Sequence, residues 1–99
     1  MTKQILFTPS AEKDLILAKN FYAKVEPTLG EYCVDSLMLD IERLRFFGGI
    51  HSKVFGQFRM IARTFPFSIY YQLPNENEIL IVAVLDNRIN PKMMAQRLG

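Results

Sequence analysis

Residues 54–73 restrict the possible folds of this chain more than any other stretch. They read as two strands joined by a tight turn around Phe65-Pro66. Side chains alternate across a strand, so Phe58, Met60 and Ala62 fall on one face, and Gln57, Arg59, Ile61 and Arg63 on the other. In the second strand Phe67, Ile69, Tyr71 and Leu73 alternate with Ser68, Tyr70 and Gln72. One face of this hairpin must be buried. The other carries two arginines and a tyrosine with no acid nearby in sequence, and is the expected working surface.

The flanking segments say what covers the apolar face. Gln4 to Thr8 is a short apolar strand. Thr8-Pro9-Ser10-Ala11-Glu12 then reads as a helix start, with Thr8 as cap, Pro9 in the first turn and Glu12 at the positive end of the dipole. Ala11, Leu15, Ala18, Tyr22 and Val25 form a stripe that carries this helix to about Val25. Glu26-Pro27-Thr28 breaks it. A second helix is expected from about Leu29 to Phe47, lined by Cys33, Leu37, Ile41 and Leu44 and ended by Gly48-Gly49. The polar turn Pro74 to Asn77 leads into Glu78 to Leu85, which is apolar on both faces, as in a central strand covered on both sides. Pro91 to Leu98 can add a terminal helix. The expected fold is α+β: an N-terminal strand, a helical hairpin, then a three-stranded antiparallel meander completing one mostly antiparallel sheet. Its 99 residues make a single domain, 1–99.

Composition excludes several classes of function. No apolar run approaches the ~20 residues that cross a bilayer, and no basic-then-apolar leader opens the chain. A lone cysteine, Cys33, cannot form an internal disulfide, so a cytoplasmic location with no membrane role is expected. No phosphate-binding glycine loop and no Cys/His metal spacing occurs, so neither cofactor nor metal is expected. His51 is the only histidine and reads as a loop residue. Charge is uneven: residues 1–42 hold four lysines against seven acids (net −3), and residues 43–99 hold eight Lys/Arg against three acids (net +5). That suits an anionic partner, nucleic acid or an acidic protein segment.

The candidate site residues are Arg59, Arg63, Tyr70 and Arg88, the last projecting after the central strand. On one strand Arg59 and Arg63 would share a face roughly 13 Å apart. Guanidiniums and a phenol on one surface can grip phosphates, stack on bases or pair with a partner's carboxylates. Met93 and Met94 either meet a partner or close the core.

Phe7-Thr8-Pro9-Ser10-Ala11, Asp14-Leu15, Phe21-Tyr22 and Leu29-Gly30 carry a likeness that continues through Arg59, Arg63 and Phe65-Pro66-Phe67-Ser68-Ile69-Tyr70-Tyr71. It ends on Ile81-Val82-Ala83-Val84-Leu85, Arg88 and Pro91. In these pieces the chain resembles the RelE/ParE superfamily of type II toxin–antitoxin toxins, nearest to the ParE-like, plasmid-stabilisation branch. The resemblance implies the same α+β architecture, growth inhibition, and a cognate antitoxin joined in a hetero-oligomer. ParE-like members look like inhibitors that bind DNA gyrase, which needs no catalytic set. RelE-like members cleave mRNA on the ribosome with a basic cluster and a C-terminal tyrosine; here that chemistry would fall to Arg59, Arg63 and Arg88, with Tyr70 or His51 assisting proton transfer. The chain departs from the family pattern at Asp86, where histidine is frequent, at Ile89, where a second basic residue is frequent, and at Gln72, where arginine is frequent. It has no tyrosine after Tyr71. A non-toxic antitoxin-binding relic is the third reading.

Overall fold

The computed structural model describes residues 2–99. The elements run β1 (Gln4–Phe7), α1 (Pro9–Ala23), α2 (Pro27–Phe47), β2 (Lys53–Val54), β3 (Gln57–Ile61), β4 (Phe67–Asn75), β5 (Glu78–Asp86) and α3 (Pro91–Leu98). The five strands form one sheet in the order β1-β5-β4-β3-β2. β2 to β5 pair antiparallel, while β1 joins parallel to β5 with Ile5 opposite Ile79 and Phe7 opposite Ile81. The expected α+β order is therefore broadly the observed one, with β5 an interior strand between β1 and β4 and with one short strand, β2, added at the edge of the expected three-stranded meander.

Local chemistry explains the helix ends. Thr8 caps α1 by accepting the Ala11 amide at 3.1 Å, and Pro9 fills the first helical position, where its missing N–H costs nothing. The helix stops at Ala23, short of Val25, because the Val25 and Glu26 amides both turn back onto the Tyr22 carbonyl. Val25 is consequently exposed, outside the apolar stripe. Pro27, expected as a breaker, instead opens α2 two residues before the expected start. Gly30 sets how closely the two helices approach: a Cβ there would lie 2.6 Å from the Lys19 carbonyl and 2.9 Å from the Ala23 Cβ.

The strand expected from Val54 to Arg63 is interrupted at both ends. Phe55 (φ 51°) and Gly56 (φ 79°) are left-handed and fold the chain back, so Lys53–Val54 becomes a separate two-residue edge strand. At the far end β3 finishes at Ile61, and the turn spans Ala62 to Pro66, closed by the Ala62 amide on the Phe67 carbonyl at 2.9 Å. Phe65 holds this wide turn down. Its ring packs edge-on against Tyr22 of α1 (4.9 Å between centroids) and Tyr32 of α2 (5.4 Å).

The helical hairpin covers one face of the sheet. Ala11, Ala18, Cys33, Leu37, Ile41 and Leu44 meet Phe67, Ile69, Tyr71, Ile79, Ile81 and Val84 there. A smaller cluster lies on the opposite face, where Met94 and Leu98 of α3 cover Tyr70, Ala83 and Leu85. Among the described residues, no helix is long and apolar enough to cross a membrane.

Candidate functional site

The three candidate arginines lie in three different environments. Arg59 stands on β3 opposite Tyr70 of β4, on the α3 side of the sheet. It is half-buried, and its Nε donates to Ser68 Oγ at 3.1 Å; the Ser68 hydroxyl in turn donates to Asn87 Oδ1. This chain of hydrogen bonds ties β3 and β4 to the segment after β5, so Arg59 is positioned from within.

Tyr70 does not stand open beside it. The ring is 1% exposed, and its hydroxyl donates to Met94 Sδ at 3.9 Å. The alternation that puts Tyr70 on the Arg59 face is correct, but α3 covers that face. Asn90 launches the helix by accepting the Met93 amide at 2.9 Å, and Met94 and Leu98, four residues apart, then point at the sheet together. The expectation of an exposed phenol is therefore corrected. Met94 closes the core, while Met93 remains on the outside.

Arg63 parts company with Arg59. Because β3 ends at Ile61, two-residue alternation no longer applies at position 63. The Arg63 amide donates to Asp40 Oδ2 at 3.0 Å, which draws the turn toward α2. Arg63 and Asp40 then border a cleft of about 350 Å³ with Arg43, Leu44, Phe47, Ile50, His51, Met60 and Ile61.

Arg88 is already paired. Its Nε and Nη2 grip the Asp86 carboxylate at 2.9 and 2.6 Å, and its own amide donates to Asp86 Oδ1. This hydrogen-bonded pairing holds the Asp86 carboxyl below, and the Arg88 guanidinium above, their ordinary pKa ranges. The expected convergence of unneutralised guanidiniums on one open face is thus corrected: Arg59 is bonded to Ser68 on the α3 side of the sheet, Arg63 borders the cleft beside α2, and Arg88 is neutralised by its neighbour.

Two polar arrangements escaped the sequence reading. Asp14 of α1 is buried and accepts the Val84 amide at 3.0 Å. β1 ends at Phe7, opposite Ile81, so among the described residues no strand pairs with the outer edge of β5 at Val84, and Asp14 accepts its amide instead. The same carboxylate receives the fork of Arg97 at 2.9 and 2.7 Å, which pins α3 to α1. The second arrangement centres on Tyr71. Its hydroxyl accepts the Gly49 amide at 2.9 Å and lies 2.6 Å from His51 Nδ1. With the amide already donating, all three groups are satisfied when the phenol donates to a neutral imidazole. Burial lowers the His51 pKa and favours that same form.

The remaining chemistry is sparse. Cys33 is fully buried, and desolvation pushes its thiol up to about 11. Among the described residues, no group of three or more His, Cys, Asp or Glu is placed to hold a metal ion.

No protein-family model matches the chain. No curated protein sequence matches it either. Solved structures do. A chain of the chromosomal ParDE toxin–antitoxin system of P. aeruginosa superposes with a TM-score of 0.75 at 20% identity, over 86% of this chain and 96% of that one. A chain of the RelBE2 toxin–antitoxin complex of Mycobacterium tuberculosis superposes with a TM-score of 0.51 at 21% identity, over 87% of this chain and 99% of that one. The RelE/ParE-like fold expected from the sequence is the fold this chain adopts.

Proposed function

We propose that the chain is the toxin of a type II toxin–antitoxin module, of the ParE-like kind, which arrests growth by binding its target, DNA gyrase, and is neutralised by a cognate antitoxin. The fold shared with a chain of a ParDE system supports the toxin reading. The observation that carries binding over catalysis is the state of the proton-transfer candidates. Tyr70 is buried under α3, Nδ1 of His51 is engaged by Tyr71, and Arg88 is spent on Asp86. Cleaving RNA through its 2′-hydroxyl needs a donor and an acceptor of suitable pKa at one point. The basic groups here do not meet at one point.

Binding, by contrast, has ample surface. Ile16, Leu17, Phe21, Tyr32, Leu39, Phe46 and Phe47 of the two helices are each more than half exposed. These exposed apolar side chains are surface that a protein partner can bury. Arg63, the outer side of Arg88 and Met93 are the contact residues this reading assigns, in a cytoplasmic protein acting in a hetero-oligomer with its antitoxin.

Induction without antitoxin tests the proposal. DNA synthesis is expected to stop first, with cellular mRNA intact and with relief by gyrase overproduction. Early arrest of translation with cut mRNA would overturn it in favour of a ribosome-dependent endoribonuclease. Unimpaired growth would leave only an antitoxin-binding relic.

A further inference from the structure

The cleft between the C-terminal half of α2 and the edge of β3 is the strongest unassigned feature. Two cations border it from different elements, Arg43 of α2 and Arg63 of the β3–β4 turn. Among the described residues, neither side chain has a hydrogen bond or an ion pair, in contrast to Arg45, Arg88 and Arg97, each of which holds a carboxylate. Asp40 also borders the cleft, but one of its oxygens is committed to the Arg63 amide. Two guanidiniums face one carboxylate, so the cleft keeps an excess positive charge.

The rest of the wall is apolar. Leu44 is core, while Phe47, Ile50 and Ile61 are exposed at the rim by 51%, 73% and 62%. His51 adds a donor rather than a third charge: its Nδ1 accepts the Tyr71 hydroxyl, which leaves an Nε2–H on the neutral ring. Three donors over an apolar floor suit a chain that brings carboxylates and aliphatic side chains together. They suit a nucleic-acid strand poorly. Single strands ask for a basic track and stacked aromatic rings, and here two arginines and one phenylalanine line a cleft of about 350 Å³.

We infer that this cleft is the socket for an acidic, apolar-anchored segment of the neutralising partner protein, with an aliphatic side chain seated against Leu44, Phe47 and Met60 and an adjacent carboxylate held by Arg43 and Arg63. The net +5 of residues 43–99 gives such a segment long-range attraction to this half of the molecule. The inference rests on the toxin–antitoxin reading only for the identity of the partner.

The test measures binding to the purified chain by fluorescence anisotropy with three probes: a short helical peptide of leucine and glutamate, its lysine-for-glutamate counterpart, and oligouridine RNA. The glutamate peptide is expected to bind. Arg43→Glu and Arg63→Glu should each weaken it about tenfold, the loss of one charge-assisted contact, and the double reversal should shift preference to the lysine peptide. Circular dichroism confirms that each variant is folded, and the milder Arg43→Gln and Arg63→Gln replace any that is not. Undiminished glutamate-peptide binding by folded variants overturns the socket, as does RNA binding that the same variants abolish. Toxicity is measured separately in cells. Growth arrest with no cleft-dependent peptide binding sinks the socket alone, whereas cleft-dependent binding without growth arrest sinks the toxin reading alone.

Discussion

The two faces of the sheet are built on different principles. The hairpin face is dry and extensive: Leu37, Ile41 and Leu44 have no exposed surface and pack against Ile69, Tyr71, Ile79 and Ile81. The α3 face is small and partly polar. A single eight-residue helix covers Tyr70, Ala83 and Leu85, and the same side of the sheet carries Arg59, Ser68 and Gln57, whose Oε1 has no partner among the described residues. One is held by area, the other by a few directed bonds, chiefly Arg97 on Asp14. In such a molecule the first to open is the face with little apolar burial, and here that face also carries Arg59.

Substitutions should widen or erase this contrast. The largest loss is expected on the hairpin face: Leu37→Ala or Ile41→Ala should cost about 3 kcal/mol in urea unfolding, and Leu98→Ala under α3 less than half as much. Equal losses would break the comparison. Next comes Asp14→Ala, which strands the Val84 amide and unpairs Arg97. Because Arg97 keeps a third of its side chain in solvent, the cost is about 2 kcal/mol rather than that of a fully buried pair. Amide exchange should then quicken in α3 and at Val84 while α2 stays protected. Asn90→Ala removes only the cap of α3 and should cost about 1 kcal/mol, again with faster exchange confined to that helix.

The smallest effect is a pH dependence on the hairpin side. The His51 pKa is lowered in the fold from 6.5 by burial, so the unfolded chain takes up the proton first. Stability is therefore full above pH 6.5 and falls as the pH drops from there to the folded value. His51→Phe should flatten that part of the curve. An unchanged slope would mean that His51 titrates freely and is not engaged by Tyr71.

The same contrast explains what was legible in the sequence. The hairpin face was, because Leu37, Ile41 and Leu44 recur at helical spacing and Thr8-Pro9 is a local capping signal. The partners of Asp14 were not. Arg97 lies 83 residues away, and in each helix a charged residue looks like ordinary solvated surface until the other arrives. Arg63 was misplaced for another reason: alternation was extended through a turn that widens to seat Phe65 between Tyr22 and Tyr32. Covering of Tyr70 followed from where α3 lands, which no periodicity within residues 91–98 specifies. Periodicity tells which side of an element is buried, and says little about which distant element buries it.

Cys33 gives all of this a practical handle. A thiolate forms readily only where water or a cation stabilises it, and this sulfur is fully buried with its thiol held up by desolvation, so maleimides and mild oxidants should leave the folded protein unmodified. A single cysteine introduced on the outer side of α3, at Gln96, would then carry a reporter dye alone. Detachment of that helix could be watched in real time, with no need to strip the native sulfur from the interior first.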